Sequence, residues 1–466
     1  MEVLSELTAL VLAAGKGTRM RSKKPKVLQE ILGQTLIWYV HTALERLMDK
    51  RHIWTVVGHE SQALYDLYPD MSTRFIYQDR QLGTGHALQC SYSILRENGY
   101  SWCLIVNGDT PLFRPESLFA LFERAKSENA DLAFITMFLD DPTGYGRIVR
   151  DEGGSVSKII EEKDIYAQRS ENGKINEVNT GVYCLNLETM GDYLHLLTNE
   201  NEQKEYYLPQ LIEICREYQA HVVTSLGQNS DDYLGVNNPK ELLYCEELMQ
   251  RRIIEEIITK GAILHQPSLI RVGPEVECSP SVEITGPCEL YGRCQLDPGS
   301  RVESHVWLKD SSLGSGSTIH SFSHINGSEI GKDCQIGPYA RLRPGTKLSS
   351  TSKVGNFVEI KKAKLDQGCK VNHLSYIGDA HIGEETNVGA GTITCNYDGS
   401  QKHQTNIGKH VFIGSNSSLV APLTIGDNSI VGAGSTITKD IPEQMLSVER
   451  GKQKNLDWKG KWSRDQ

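Results

Sequence analysis

Several basic side chains and a carboxylate in the first half of this chain have the types and spacing that phosphate chemistry requires. An apolar run ends in Leu12-Ala13-Ala14-Gly15-Lys16-Gly17-Thr18-Arg19-Met20, and Pro25-Lys26-Val27-Leu28 follows closely. Glycines there let backbone N–H groups approach a phosphate chain, while Lys16 and Arg19 supply positive charge. The Walker pattern does not fit, and GxGxxG fails because Met20 holds the last glycine position. Asn107-Gly108-Asp109-Thr110-Pro111-Leu112 closes another apolar run with a carboxylate. A lone Gly-Asp is commonly a helix cap or turn, but behind a phosphate loop it also suits a cation ligand. In the second half, Arg343, Lys361, His373 and Tyr376 combine two cations, an imidazole and a phenol. An imidazole suits proton transfer near neutrality.

The elements that must position these groups divide the chain. In residues 1–232, Leu7–Ala14, Ile53–Gly58, Trp102–Asn107 and Asp131–Phe138 read as buried strands. Amphipathic stretches such as Trp38–Met48, Ala87–Glu97 and Pro115–Glu128 lie between them. This alternation predicts an α/β domain, with a mostly parallel sheet, helices on both faces, and ligands where strands end and loops begin. Residues 233–260 form a linker whose charged stretch from Pro239 to Lys260 reads as a helix stopped by Gly261.

Residues 261–450 carry a different period. Ile330, Ile336, Leu342, Leu348, Val354 and Ile360 are six apart, as are Ile407, Ile413, Leu419, Ile425, Val431 and Ile437. A helix needs a period of about 3.6 and a half-buried strand one of about 2, so six is neither. It is the hexapeptide repeat of a parallel β-helix, in which stacked coils bury one aliphatic column per face. The register slips by one residue at Leu365 and Ile382, and from Val388 to Ile407 it runs one residue over three hexads. Residues 451–466 lose the repeat and read as a C-terminal arm.

Composition narrows the class. The chain has 466 residues, 39% hydrophobic, 23% charged, with a formal net charge of -10, which argues against non-specific nucleic-acid binding. No stretch reaches the roughly 20 apolar residues of a membrane span. The first residues lack the basic segment of a signal peptide, so a cytoplasmic location is expected. Eleven cysteines without CxxC pairs disfavour disulfides and zinc sites. Cys288, Cys294, Cys334 and Cys369 fall at repeat positions suited to small buried side chains.

LxxGxGTRM followed by PKxL resembles the sugar-1-phosphate nucleotidylyltransferases, a resemblance that covers the first part. It implies a Rossmann-like nucleotidyltransferase domain in which Leu12, Ala13, Ala14, Gly15 and Lys16 line the nucleotide, and Arg19 and Lys26 act on the phosphates. Gln78, then Leu82-Gly83-Thr84-Gly85-His86, resembles the base-binding segment, and an amide matches the imide edge of uracil or thymine equally. Asp109 and Asn237, in Gly235-Val236-Asn237-Asn238, resemble the Mg²⁺ ligands. Gly146, Glu161 and Asn179 fall in segments resembling the sugar-binding elements. His86 reads as a bystander, Glu162 as a surface charge, and the role of Asn107, where an aromatic or serine is more usual, stays open.

In the second half, Ala340-Arg341-Leu342-Arg343-Pro344-Gly345, Val354-Gly355-Asn356-Phe357-Val358-Glu359-Ile360-Lys361-Lys362, His373-Leu374-Ser375-Tyr376 and Gly389-Ala390-Gly391-Thr392-Ile393-Thr394-Cys395-Asn396-Tyr397-Asp398-Gly399 extend the likeness over nearly the whole chain. They resemble the bacterial family of bifunctional N-acetylglucosamine-1-phosphate uridylyltransferases and glucosamine-1-phosphate N-acetyltransferases, which make UDP-N-acetylglucosamine for peptidoglycan and lipopolysaccharide. That resemblance implies a left-handed β-helix, His373 as catalytic base, and Arg343 and Lys361 as a phosphate clamp. It further implies Tyr376, Asn387, Asn396 and Tyr397 around the sugar and acyl group, and Ala390, Asn396, Tyr397, Ser415, Ala433 and Arg450 as acetyl-CoA-binding residues. Acetyl-CoA and UTP are the implied co-substrates, the two sugar phosphates the acceptors, and a homotrimer the implied assembly, without nucleic acid or membrane. His381 reads as structural, and no spacing pairs Cys395 with a base for an acyl intermediate. The alternative is a nucleotidylyltransferase alone, with the β-helix serving oligomerisation or regulation.

Overall fold

The computed structural model describes residues 6–15, 17–58, 61–69, 74–168 and 175–456. The chain divides into two compact units, Met1–Met249 and Gln250–Gln466. The strands of the first are β1 (Leu7–Leu12), the short hairpin β2 and β3 (Glu30–Ile31, Gln34–Thr35), β4 (Ile53–Val57), β5 (Phe75–Tyr77), β6 (Trp102–Asn107), β7 (Leu132–Phe138), β8 (Arg147–Arg150), β9 (Val156–Ile160), β10 (Glu177–Asn186) and β11 (Val222–Leu226).

The main sheet runs β11-β7-β10-β6-β1-β4-β5. Its pairings are parallel except those of β10, which is antiparallel to both β6 and β7. The hairpin β8–β9 joins at the edge of β10, where Val178 pairs with Arg147. Alternation along each strand sends successive residues to opposite faces. Leu7, Ala9 and Val11 therefore join one core with Val40 and Leu44 of helix Leu36–Glu45 and with Leu118 and Phe122 of helix Pro115–Ser127. Leu10, Cys103 and Ile105 join the other core, with Leu88 of helix Thr84–Glu97 and Leu211 of helix Gln210–Glu217. Helices thus cover both faces, which is what lets these strands be apolar throughout. From β1 the chain passes to β4 on one side and later to β6 on the other. The C-terminal ends of β1 and β6 consequently flank the crevice where ligands bind in such sheets.

A 21-residue helix, Pro239–Thr259, follows. Gly261, at φ +96, donates its N–H to Ile258 O at 2.9 Å, and Ala262 N donates to Ile257 O at 3.3 Å. This double closure ends a helix through a left-handed glycine.

The second unit stacks three parallel sheets of eleven, ten and nine strands, visited in rotation until the last strand, Leu446–Ser447, which returns to the first sheet. Together with the hexapeptide repeats this is the left-handed parallel β-helix. Middle residues of the strands point inward, so Val354, Ile360 and Leu365 lie under Val371, Ile377 and Ile382. The five-residue steps fall at one corner of the prism, between the second and third faces. The apparent slip after Val388 lies at that same corner and differs from the sequence reading. Thr394, fully buried, takes the inward place on the second face, and its Oγ1 accepts from Gly378 N at 2.7 Å. Its hydroxyl kept it out of the aliphatic count. The residues that follow are an excursion before Ile407 rejoins over Ile382. In it, Tyr397 bridges Lys402, and the Asp398 carboxylate accepts from Ser400 N and Gln401 N.

All eleven cysteines are free thiols; nine are buried, and Cys90 and Cys395 are half-buried. Ile360 is buried completely. Ile360→Ala should lower the unfolding free energy of the β-helix by about 2–5 kcal/mol, as for other buried truncations. A loss below about 0.5 kcal/mol in denaturant titration would contradict the inward placement of this column.

Candidate active sites

In the first unit, parallel register sets the site. Leu12 pairs with Asn107, so the loops leaving β1 and β6 emerge side by side, and Gly108 N donates to Leu12 O at 2.9 Å. Lys16 lies outside the described residues. Gly17, at φ +58, packs against Lys26, whose Cβ would lie 2.7 Å from any Cβ added there. Lys26 Nζ forms an ion pair with Asp109 and donates to Asn237 Oδ1 at 3.3 Å. Arg19 Nη2 donates to the same oxygen at 2.9 Å. Val236 N donates to the main-chain Asp109 O at 2.9 Å, which ties the distant 235–238 segment to the Asp109 turn. Arg19, Lys26, Asp109 and Asn237 are therefore one cluster.

A cavity of about 210 Å³ opens beside it. Of the residues singled out in the sequence, Leu12, Thr84, Asp109, Gly146, Glu161, Asn179 and Asn237 line it. The hairpin β8–β9 and strand β10 assemble its far wall: Asn179 N donates to Gly146 O at 2.9 Å, and Asn179 Nδ2 donates to Tyr183 Oη at 2.6 Å. Gly146 faces Glu161, whose Oε1 would lie 3.3 Å from an added Cβ. Burial, then Asp164, Glu205 and Glu162, pushes the Glu161 carboxyl up to about 7. Such a group can donate a proton to a hydroxyl acceptor as well as accept one.

Glu162 departs from its expected place on the surface, because it pairs with buried Arg147 at 2.6 Å. Asn107 lines the cavity, with its Nδ2 only 2.4 Å from where a Gly181 Cβ would sit, so Gly181 makes room for that amide. Tyr145, from the same segment as Gly146, lines the cavity as well, and so do Thr110 and Tyr233, which no sequence motif marked for the sugar. Gln78 sits at the end of β5, where its Nε2 donates to Gly83 O at 3.1 Å and lies 3.0 Å from His86 Nδ1. The Ala13–Gly15 segment runs nearby: Gln81 Nε2 donates to Ala14 O at 2.5 Å.

In the second unit the predicted residues gather at two corners of one face. At the corner before that face, Asn356 pairs in register with His373, and Nδ1 of His373 is 2.6 Å from Asn356 Oδ1. A carbonyl oxygen only accepts, so Nδ1 carries the hydrogen and Nε2 keeps the lone pair. Above His373, Gly391 N donates to His373 O, Asn416 N to Ala390 O, and Gly434 N to Ser415 O. His373, Ala390, Ser415 and Ala433 thus form one ladder, and Arg450 Cδ lies 3.8 Å from a Cβ on Gly434. Close stacking explains the glycines here, since a Cβ on Gly414 would lie 2.3 Å from Ala433 N. Asn387 stands on the preceding face, paired with Lys370.

At the opposite corner, Arg343 Nη1 donates to Glu359 Oε1 at 2.9 Å. Lys361 is held below the ordinary lysine value first by Lys402, with burial and then Arg343 adding to it. Three cations around one spot are suited to an anionic ligand. Nothing in the local sequence marks Lys402; only the excursion brings it to this corner. Asn396 Nδ2 donates to Asp379 Oδ2 at 2.5 Å. Tyr376 starts on the face, but its Oη would lie 2.5 Å from a Cβ on Gly378, so the phenol reaches across to this corner. Tyr397 is exposed and donates to Gly399 O at 2.6 Å. Within one chain, then, His373 and the cations occupy opposite edges of a face. His381, read as structural, pairs with Asp366 at 2.8 Å.

Residues 9–147 match the family model of MobA-like NTP transferase domains, and residues 404–439 that of bacterial transferase hexapeptide repeats. The chain is similar to the bifunctional protein GlmU of Nitratidesulfovibrio vulgaris, 48% identical over 454 residues, 97% of this chain and 98% of that one. GlmU of Oleidesulfovibrio alaskensis is 46% identical over 96% of this chain and 97% of its own. GlmU of Acinetobacter baumannii is 41% identical over 96% of each.

The Glu161 shift has a consequence for stability. With its folded value raised to about 7, the folded state keeps a proton that the unfolded chain has already lost above the ordinary glutamate range. Stability therefore falls as pH rises through that window. Glu161→Gln stays neutral throughout, so its stability gain over the parent should grow from about pH 5 to about pH 8. Urea titration of the first unit checks this; a gain that is flat with pH would refute it.

Proposed function

The chain belongs to the family of bifunctional proteins GlmU, and from that premise we infer that it makes UDP-N-acetylglucosamine by two transfers. The β-helix acetylates the amine of glucosamine-1-phosphate, and the first unit then joins UMP from UTP to N-acetylglucosamine-1-phosphate, releasing pyrophosphate. The product serves peptidoglycan and lipopolysaccharide synthesis. The observation that carries this reading is that similarity to bifunctional relatives runs through both units, over 97% of the chain.

For uridylyl transfer, the sugar phosphate is already largely ionised near neutrality and needs no general base. What it lacks is charge neutralisation and alignment for in-line displacement. Lys16 and Arg19 hold the triphosphate, Lys26 the transferred or incoming phosphate, and the backbone from Leu12 to Gly15 follows the nucleotide. Gln78, Gly83 and Thr84 meet the base, while Gly146, Glu161 and Asn179 meet the sugar. Asp109 and Asn237 turn two hard oxygens toward one point, where Lys26 already contacts both. That donor set fits Mg²⁺ in company with phosphate oxygens and water. When bound, Mg²⁺ supplies charge neutralisation on the phosphates.

For acetyl transfer, an ammonium is not a nucleophile, so the proton must leave as the nitrogen attacks the thioester carbonyl. His373 Nε2 accepts it, with Nδ1–H anchored on Asn356; the thiol of coenzyme A is the leaving group. Arg343, Lys361 and Lys402 bind the sugar phosphate, and Tyr376, Asn396 and Tyr397 border it. The small side chains of Ala390, Ser415 and Ala433 leave a path for the acetyl-CoA arm with Arg450 beside it, while Asn387 helps to orient the sugar and acyl group. Because His373 and the cations stand on opposite edges of one face, a second copy must bring the complementary edge. A homotrimer meets that need and agrees with hexapeptide-repeat assembly. No described helix is long and apolar enough to cross a membrane, and we assign the enzyme to the cytoplasm, where its nucleotide and thioester co-substrates are made.

Incubated with glucosamine-1-phosphate, acetyl-CoA, UTP and Mg²⁺, the pure protein should release free thiol and pyrophosphate. His373→Ala should abolish thiol release and spare uridylyl transfer to N-acetylglucosamine-1-phosphate, and Asp109→Ala should do the reverse. Loss of both activities from one folded variant would refute separate sites.

Gly378→Ala tests the acetyl site without touching a reacting group. Its Cβ would stand 2.5 Å from Tyr376 Oη and 2.9 Å from Asn396 Nδ2. Thiol release should fall by about 10-fold or more, the scale set by small misplacements in active sites, while pyrophosphate release stays unchanged.

A further inference from the structure

Gln78 is almost wholly buried, and its backbone N–H is held by Val57 O at 2.9 Å. An amide side chain can face a base with either its oxygen or its nitrogen, and these ends recognise opposite partners. Two neighbours decide the matter here. Gly83 O lies 3.1 Å from Nε2, and a carbonyl can only accept, so the nitrogen must be the end placed there. The second N–H of the same nitrogen points to His86 Nδ1 at 3.0 Å. With one hydrogen spent on Gly83, that contact requires Nδ1 to carry a lone pair and the ring hydrogen to sit on Nε2. Cys90 Sγ lies 3.7 Å from Nε2 and 3.9 Å from Nδ1 of His86, a weak contact compatible with this tautomer.

The partners are themselves fixed. Gly83, at φ +102, has no room for a Cβ, which would meet Tyr206 O at 2.5 Å. Gly85 N donates to Tyr206 O at 2.7 Å, and Leu208 N donates to Thr84 Oγ1 at 3.0 Å. The His86 ring is tilted against Tyr206, with centroids 6.2 Å apart. Both hydrogens of the Gln78 amide are therefore committed to a clamped segment, and Oε1 takes no hydrogen bond from the described residues. The end left for a ligand is an acceptor.

We propose that His86 is a positioning residue that locks the Gln78 amide with its oxygen toward the nucleobase, and thereby makes the site select a pyrimidine bearing N3–H over one bearing an N3 lone pair. Uracil and thymine offer the hydrogen; cytosine sets lone pair against lone pair. This rests on the reading of Gln78 as the base contact. Without the imidazole acceptor the amide keeps a single anchor at Gly83, and its rotation about the terminal bond costs less.

The test is kcat/KM with UTP and with CTP, measured as pyrophosphate release in the presence of N-acetylglucosamine-1-phosphate and Mg²⁺. His86→Leu and His86→Met, two apolar variants of different shape, should lower the UTP/CTP ratio by about 10-fold, the worth of one hydrogen bond to a buried polar group. His86→Asn can present an acceptor near the Nδ1 position and should restore most of the ratio. A structural role for His86 would depress both nucleotides together and leave the ratio unmoved, and that result in either folded apolar variant overturns the proposal. Gln78→Leu separates the two layers. If it collapses the ratio while the His86 variants do not, the lock fails and the base contact stands. If Gln78→Leu leaves the ratio intact, the base contact itself fails, and the lock with it.

Discussion

Register between parallel strands is the constraint on which both units depend. Main-chain hydrogen bonds fix which residue of one strand stands beside which residue of the next, and side chains at the strand ends inherit that adjacency. In the first unit, Leu12 beside Asn107 brings the glycine-rich loop after β1 to the Asp109 turn, although nearly a hundred residues separate them. In the second, Val354 beside Val371 and Val371 beside Val388 put His373 on Asn356 and under Ala390. A one-residue slip in either place would send every inward side chain out and dissolve the site.

Against that rigid frame, the charges are arranged in two different ways. Lys26 is balanced by Asp109 and Asn237, so its charge is already answered by the oxygens that suit a metal ion. Lys361 instead stands beside Lys402 and near Arg343, a repulsion that lowers its proton affinity. An anion arriving at that corner would relieve such repulsion. Glu161 shows the converse in the first unit, where burial and three neighbouring carboxylates favour its neutral form. Glycine serves both sites by omission: Gly181 makes room for Asn107, Gly378 for Tyr376 and Asn396, and Gly414 for the coil above it.

Much of the frame was legible because its periods are local. Strand–helix alternation, the helix from Pro239 with its stop at Gly261, and the six-residue aliphatic column each repeat within a short window, where burial alone dictates residue type. The antiparallel insertion of β10 was not legible, since strand direction within a sheet leaves no mark on the strand's own residues. Thr394 escaped because a threonine can occupy an inward position once its hydroxyl finds Gly378 N. Glu162 was read as a surface charge because its partner, Arg147, is brought near only by the hairpin.

By itself, then, the sequence determined the residue types and the elements carrying them: a glycine-rich basic loop after a strand, a carboxylate turn, a hexad array with polar corners. It also determined the family, through motifs spread over the full length. Tertiary structure alone decided which of these groups meet. It put Arg19 and Lys26 on Asn237, delivered Lys402 to Lys361, and set His373 on the opposite edge of a face from Arg343 and Lys361. The physical reason is range. Side-chain type and backbone preference act over a few residues, whereas these contacts arise from register and chain reversal between segments far apart, which no local pattern encodes.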